Sequence, residues 1–200
     1  MPRRTALALL ACLALRPASV AAAPSRAIIK RIEAWRRGGA AGLTARYRCT
    51  RRTSMLWDPL VVHGTLVFAA PDRLELRDDE PTGATTRLAG GVLTIGANDP
   101  ALPSVPTPPP ATAWLHEHLL ALFAARDADA LQQGARLSVP RGPGLQLLLS
   151  PERGHPAEAV VEHLRVRIDP DTGALLELEW AHPEGDRVTL ELSDHRLAPV

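Results

Sequence analysis

The first periodic segment of the chain has the spacing of an amphipathic helix. Ile28, Ile29, Ile32 and Trp35 recur every three or four residues, with charged side chains between them. On a helix with 3.6 residues per turn, these positions form one apolar stripe. The pattern therefore predicts a helix that ends at residue 37, just before a pair of glycines.

Beyond the glycines the period changes to two, which is typical of strands with one buried face. Ala45, Tyr47 and Cys49 alternate with Arg46 and Arg48. Turn residues separate the later alternating segments, so each segment predicts a strand of its own. These strands are predicted at residues 61–69, 73–77, 85–89, 92–95, 136–139, 145–149, 161–168, 174–180 and 187–192.

A proline-rich segment interrupts the strands. Six prolines lie within residues 100–110, and proline lacks the N–H group that a central strand needs, so we expect an extended loop. A helix is predicted after it, with Thr112 as its N-cap. A shorter helix is expected to start at Asp127 and to stop at Gly134. The apolar face of the longer helix is formed by Leu115, Leu119, Leu122 and Phe123.

The late strands predict how these elements assemble. Leu176, Leu178 and Trp180 alternate with Glu177 and Glu179. A strand of this kind has one apolar and one solvated face, as in an antiparallel sheet with one wet side. The predicted helices are the only elements available to cover the apolar face. The simplest arrangement is an α+β fold in which helices lie over the concave side of a curved antiparallel sheet.

Residues 1–22 are predicted to be a cleaved export signal. A short basic start precedes an almost wholly apolar run over residues 5–15, and small residues follow. The run is too short to span a bilayer, which needs about 20 residues. Cleavage near Ala22 would leave one domain, residues 23–200, in the periplasm. A second interpretation of the segment stays open, in which Cys12 is the lipidated cysteine of a lipobox.

Charge and cysteine content argue against a nucleic-acid-binding protein and against a disulfide-stabilised domain. The chain has 23 Lys and Arg against 22 Asp and Glu, and loss of residues 1–22 removes three arginines and no acid, which changes the formal charge from +1 to −2. A net negative domain gives no electrostatic reason to expect nucleic acid as a partner. Only Cys49 remains after cleavage, so no intrachain disulfide can form and the domain must be stabilised by core burial. We expect a monomer.

A motif in the early strands carries a family resemblance. The chain contains the run Gly64-Thr65-Leu66-Val67-Phe68-Ala69-Ala70-Pro71-Asp72-Arg73-Leu74 after its export signal. This run, and a helical segment between two groups of strands, resembles the LolA-like family of periplasmic outer-membrane lipoprotein carriers over about residues 26–195. The resemblance implies an unclosed antiparallel β half-barrel with a helical lid over an apolar cavity.

The same resemblance implies the function and the partners. The cavity would shelter the acyl chains of a lipoprotein or another lipid for transfer towards the outer membrane, with transfer partners at the inner and outer membranes. Such a carrier is not an enzyme and needs no cofactor. The apolar residues that we expect to line the cavity are Trp35, Leu66, Phe68, Leu74, Leu119, Phe123, Leu147 and Trp180. The alternative for each of them is ordinary core.

One position departs from the family pattern. The best-known carriers have an arginine directly before the proline that corresponds to Pro71, and this arginine latches the lid to the sheet. Ala70 stands there in this chain. The resemblance therefore does not extend to a latch of that design.

Catalytic or metal chemistry is not predicted. His116 and His118 would point to different faces of a helix, and the histidines as a group are expected at the surface. Ser54 and Ser150 lack the setting of a hydrolase nucleophile. The acidic run 78–80 is expected to be a solvated turn, and a weak calcium contact is the alternative. Two alternatives to a carrier stay open: a lipid-sensing domain of the same fold, and an unrelated exported β-rich protein.

Overall fold

The computed structural model describes residues 22–39, 41–98, 105–107, 110–124 and 128–198. The predicted export signal, with Cys12, lies outside the described residues except for Ala22. Asp127 also lies outside them. The three helices are α1 (Ala22–Arg37), α2 (Pro110–Phe123) and α3 (Ala128–Gln132), and a 3₁₀ turn spans Pro156–Ala159. The strands are β1 (Gly42–Arg52), β2 (Leu60–Ala69), β3 (Arg73–Asp78), β4 (Ala84–Ala89), β5 (Val92–Ala97), β6 (Val105–Thr107), β7 (Ala135–Ser138), β8 (Leu145–Pro151), β9 (His163–Ile168), β10 (Leu175–Ala181) and β11 (Arg187–Ala198).

These strands form one antiparallel sheet in the order β6-β5-β4-β3-β2-β1-β11-β10-β9-β8-β7. Strands β6 and β7 are its two edges, and in the described part of the chain they do not pair with each other. All the other strands pair with the strands that precede and follow them in the chain. At the centre of the sheet, β1 also pairs with β11. The predicted α+β class, an unclosed antiparallel half-barrel with helices on one face, is confirmed.

The alternation of side chains separates the two faces of the sheet. Along β1, Tyr47 and Cys49 are buried and Arg46 and Arg48 are exposed. The outer face carries cross-strand ion pairs, including Arg167 with Glu177 at 2.8 Å, Arg165 with Glu179 at 3.3 Å and Arg48 with Glu191 at 2.8 Å. Exposed pairs of this kind contribute little to stability, so the inner, apolar face stabilises the fold.

Helices α1 and α2 cover the concave face. Helix α1 packs against β7 and β8. In its predicted apolar stripe, Ile28, Ile29 and Ile32 are buried and Trp35 is half-buried. The Arg36 guanidinium at the end of α1 is only 1% exposed, and its Nε donates a 2.6 Å hydrogen bond to the carbonyl of Phe123, the last residue of α2. No helix within the described ranges has the length and hydropathy needed to cross a membrane.

The proline-rich segment differs from its prediction. Its residues Val105–Thr107 form strand β6, which pairs with β5 at the edge of the sheet. An edge strand tolerates proline because its outer N–H groups have no strand to bond. Helix α2 begins at Pro110, so Thr112 lies within its first turn and is not the N-cap. Proline suits this position, since the first N–H of a helix has no partner.

The alternation predicted for β10 is wrong at its start. Leu175 pairs with Ile168, whereas Glu177 pairs with Arg167, so Leu176 is an extra residue in a bulge. The bulge places Leu175 on the buried face, where it is fully buried. Leu176 instead lies beside Arg165 and Glu177 on the outer face.

Candidate functional site

An apolar cavity of about 350 Å³ lies between α2 and the concave face of the sheet. Its roof is one face of α2, and its floor and walls come from β1 to β5, β10 and β11. Arg51 and Ile95 are exposed members of the lining, so the cavity opens to solvent on their side. The apolar lining residues are Cys49, Leu66, Leu74, Leu76, Leu88, Leu93, Ile95, Leu115, Leu119, Phe123, Leu178, Trp180, Val188 and Leu190.

The unequal cover of the two halves of the sheet explains why the cavity exists. Helix α1 fills the concave side over β7 and β8. Over β1 to β5, the helical part of the cavity lining is supplied by α2. Its residues there are Leu115, His116, Leu119 and Phe123. Protein interiors are normally packed to crystal density, so a space of this size is a candidate binding site.

The residues predicted to line a cavity divide into two groups. Those that line the cavity under α2 are Leu66, Leu74, Leu119, Phe123 and Trp180. Trp35, Phe68 and Leu147 lie elsewhere in the core. Trp35 meets the edge of the His195 ring with centroids 5.4 Å apart. Phe68 stacks on the far side of Phe123 at 6.2 Å, and Leu147 is fully buried in β8.

A polar pair lies at one side of this apolar space. The Tyr47 hydroxyl donates a 2.5 Å hydrogen bond to Asp78 Oδ1, and the backbone N–H of Ala84 donates to Asp78 Oδ2 at 2.9 Å. Burial and the bond to Asp78 raise the pKa of Tyr47 far above its usual value. Asp78 thus belongs to β3 and to a hydrogen-bond network, and the predicted solvated turn begins only after it.

Gly64 makes this pair possible. It lies between Tyr47 on β1 and Asp78 on β3, directly opposite both in the sheet register. A Cβ atom at this position would overlap the Tyr47 ring and the carbonyl oxygen of Arg77. The absence of a side chain therefore lets the phenol lie across β2 and reach the next strand. The sequence motif includes this glycine, but it gives no indication that Tyr47 and Asp78 form a hydrogen bond across it.

Arg51 is the one cationic residue of the cavity lining. It follows Tyr47 and Cys49 on the concave side of β1, and it lies between Leu60 on β2 and Val188 on β11. Arg51 forms no ion pair within the described part of the chain. Its side chain interacts with the Cys49 thiol, and it lies at the opening of the cavity, where an anionic group could meet it.

The histidines near the cavity are buried, which corrects the expectation that they lie at the surface. His116 lines the cavity and is 7% exposed, and His118 is 2% exposed. His118 stacks on Trp114, and its Nδ1 donates a 2.7 Å hydrogen bond to the Trp114 carbonyl. Burial lowers the pKa of both rings. His163 is also buried, at 8% exposure.

The cavity shows no catalytic constellation in the part of the chain that the structure describes. The described residues contain no cluster of three or more metal-ligating side chains. Cys49 is a buried free thiol whose pKa is raised by burial, which disfavours the reactive thiolate. Both oxygens of the Asp78 carboxylate already accept hydrogen bonds.

A second contact near the cavity was not predicted from the sequence. The Arg36 guanidinium lies 5.2 Å from the centre of the Phe68 ring and 5.8 Å from that of Trp35. Through its bond to Phe123 it ties the end of α1 to the end of α2. A cation next to the last carbonyls of a helix is favourable. Arg36 is followed by a second arginine at the end of the predicted helix, and its charge and position carry no sign that it will be buried.

No family model matches the sequence, and no curated protein matches it significantly. Solved structures that resemble it include the Pseudomonas aeruginosa MucA/MucB complex, at 13% identity and a TM-score of 0.47 over 89% of this chain and 59% of that chain. A LolA superfamily protein from Nitrosomonas europaea matches at 10% and 0.45, over 88% and 94% of the two chains. The Mycobacterium tuberculosis lipoprotein LppX matches at 13% and 0.36, over 87% and 97%.

The chain spans about three fifths of the length of the matched chain in the MucA/MucB complex. The LolA superfamily structure is of the kind that the sequence motif predicted. Identities this low and TM-scores below 0.5 bring no function from those proteins to this chain.

Proposed function

We propose that the protein is an exported carrier that holds one acyl chain of a lipid or lipidated molecule in the cavity under α2. The observation that supports this most is an apolar space that the protein's own side chains leave unfilled. Each methylene group removed from water gains about 0.8 kcal/mol. A chain of a dozen carbons therefore binds with a large hydrophobic gain and needs no specific polar contact.

The size of the cavity argues for one chain and not for several. A volume of about 350 Å³ is at the lower end of the range of about 300–1,000 Å³ for small-molecule sites. A triacylated lipoprotein anchor would need a much larger space or a displaced α2. The favoured ligand is a single-chain amphiphile, or one chain of a larger lipid whose remainder stays outside.

The position of Arg51 suggests the orientation of the ligand. The opening of the cavity is the one place where a polar headgroup keeps contact with water. A carboxylate or phosphate there would meet the Arg51 guanidinium, which has no ion-pair partner within the described ranges. The ligand would thus enter tail first, with its headgroup at Arg51 and its tail towards Leu74 and Leu88.

Delivery between membranes is part of the same proposal. Such a carrier would take its cargo from one membrane or membrane protein and release it at another, towards the outer membrane. The export signal predicted over residues 1–22 would place it in the periplasm.

Direct titration with a fatty acid and with the alcohol of equal chain length tests the proposal. We expect saturable binding of one molecule per protein for both, measured by calorimetry and by native mass spectrometry. Leu119→Trp fills the roof of the cavity and should abolish binding, whereas Leu119→Met keeps its volume and should not. Loss of binding in both variants, or no saturable binding in the unmodified protein, overturns it.

The headgroup position has its own test. Arg51→Leu should weaken binding of the fatty acid by about two- to fivefold, because an exposed ion pair is modest in strength. Arg51→Lys should retain most of the affinity, and neither change should affect the alcohol. If Arg51→Leu leaves the preference for acid over alcohol unchanged, the headgroup lies elsewhere.

A further inference from the structure

The loop between β1 and β2 carries an unusual concentration of exposed apolar side chains. Trp57 is fully exposed, Met55 is 89% exposed and Leu56 is 53% exposed. Leu60 and Val61, at the start of β2, are also exposed. We call these five residues the apolar tip. They are five of the nine large apolar side chains that are exposed in the described ranges, and they lie within seven consecutive residues.

Two arginines lie opposite each other at the base of the apolar tip. Arg52, the last residue of β1, lies directly opposite Arg187 on β11. Neither side chain forms an ion pair in the part of the chain that the structure describes, and like charges in opposite positions destabilise a sheet. The acids nearest to them in sequence are Asp58, Glu184 and Asp186, and Asp186 Oδ1 accepts a 2.8 Å hydrogen bond from the backbone N–H of Ser54.

We propose that the apolar tip inserts into the surface of a lipid bilayer that contains anionic lipid, with Arg52 and Arg187 at the lipid phosphates. Tryptophan is enriched at the membrane–water interface, because its ring is amphipathic. Arginine at the base is attracted to an anionic leaflet. A protruding loop with an exposed tryptophan fits a deformable bilayer better than it fits a rigid protein surface, which favours flat or concave contacts.

The apolar tip is also continuous with the opening of the cavity. Leu60 belongs to the tip and lies opposite Arg51, which lines the cavity. The next residues in the same row across the sheet are Val188 and Trp180, and both line the cavity. A bilayer at the tip would therefore face the opening. An acyl chain could then move between membrane and cavity along an apolar row, with little exposure to water.

Vesicle binding tests this docking independently of cargo binding. The probes are vesicles of phosphatidylcholine with and without phosphatidylglycerol, and the readout is co-sedimentation of the full chain. We expect binding to the anionic vesicles that weakens with salt. Trp57→Ser should weaken it by at least about tenfold, since burial of a large apolar side chain is lost. Arg52→Gln and Arg187→Gln should each weaken it by about fivefold.

The control removes an exposed apolar residue far from the tip. Val92 is 56% exposed at the turn between β4 and β5, so Val92→Ser should bind vesicles like the unmodified protein. Trp57→Phe should keep most of the binding. The tip variants should retain the thermal stability and the fatty-acid affinity of the unmodified protein, which separates docking from the cavity.

Absence of vesicle binding overturns the docking proposal. So does binding that Trp57→Ser leaves unchanged, or a tip that is required for capture of a protein but not of vesicles. Failure of fatty-acid binding with intact vesicle binding would overturn the carrier proposal alone.

Discussion

The Tyr47 hydroxyl reaches across β2 to donate its hydrogen bond to Asp78 on β3, at 2.5 Å. The two residues belong to strands that are not adjacent in the sheet, and Gly64 on the strand between them leaves the space for the ring. This relationship places a polar pair beside an apolar cavity without leaving either carboxylate oxygen of Asp78 unpaired. It also ties β1 to β3 through side chains, across the strand that lies between them.

The first prediction concerns the glycine in this arrangement. Gly64→Ala should lower the free energy of unfolding by about 1–3 kcal/mol, because the added methyl overlaps the Tyr47 ring and the Arg77 carbonyl. Tyr47→Leu in the same chain should rescue only part of the loss, since the overlap with the backbone of Arg77 remains. Urea unfolding measures both variants.

The control for Gly64 is another glycine with room for a side chain. The nearest atom to a Cβ on Gly142 is the Gln146 Nε2, at 3.4 Å, so Gly142→Ala should change stability little. Equal losses at the two glycines would contradict the close approach of Tyr47.

The second prediction uses Tyr47 as its own reporter, because it is the single tyrosine of the chain. Burial and the bond to Asp78 raise the pKa of Tyr47, so the phenol should stay protonated as the pH passes 10. Ultraviolet absorbance should show no phenolate until the protein unfolds, and a full phenolate spectrum in denaturant. Ionisation near pH 10 in the folded protein would show that the ring is not held in this way.

The third prediction concerns the contact between the two helices. Arg36→Met leaves the Phe123 carbonyl without its donor, which should lower the free energy of unfolding by about 1–3 kcal/mol. Hydrogen exchange in the last turn of α2 should become faster. The matched control is Arg37→Met, because Arg37 is exposed and makes only a 3.4 Å contact with the Glu33 carbonyl. Equal effects at both positions would remove the special role of Arg36.

The fourth prediction is a loss of stability in mild acid. Burial lowers the pKa of His116, His118 and His195 in the folded protein. The unfolded chain therefore binds protons first as the pH falls below about 6.5. The free energy of unfolding should have its full value above that pH and should decrease below it. Thermal melts across this range measure the effect.

A single substitution tests whether a buried histidine causes that pH dependence. His116→Gln should make the decrease below pH 6.5 shallower, because one of the groups that titrates only in the unfolded chain is removed. A stability that does not change between neutral pH and pH 5.5 would contradict the burial of these rings.

The sequence predicts the strands well because most of them have one wet face. Alternation is clear wherever charged residues mark the outer side, as in β1 and β9, and the open antiparallel sheet follows from it. The prediction fails at Leu176, since a bulge shifts the alternation by one residue and leaves no mark in the composition. It also fails at β6, because proline is excluded from central strands but not from an edge.

The candidate site is less visible in the sequence than the fold. Leu66 and Leu147 have the same apolar character and the same period, yet one borders the empty space and the other is packed beneath helices. The difference depends on how far α1 extends over the sheet, which is a tertiary property. Arg36 and Tyr47 were missed as partners for the same reason, because their contacts lie 87 and 31 residues away.

The pairing of β1 with β11 has a consequence for how the molecule matures. Arg48 and Glu191 are neighbours on the outer face although 143 positions separate them. The two halves of the sheet are thus joined by β1 and β11, which are far apart in the chain, and such a distant closure is slow compared with hairpin formation. A chain threaded through a membrane pore cannot form this seam until residues 187–198 have emerged. If residues 1–22 direct export as predicted, the hollow under α2 would therefore be completed only after transit, on the far side of the membrane.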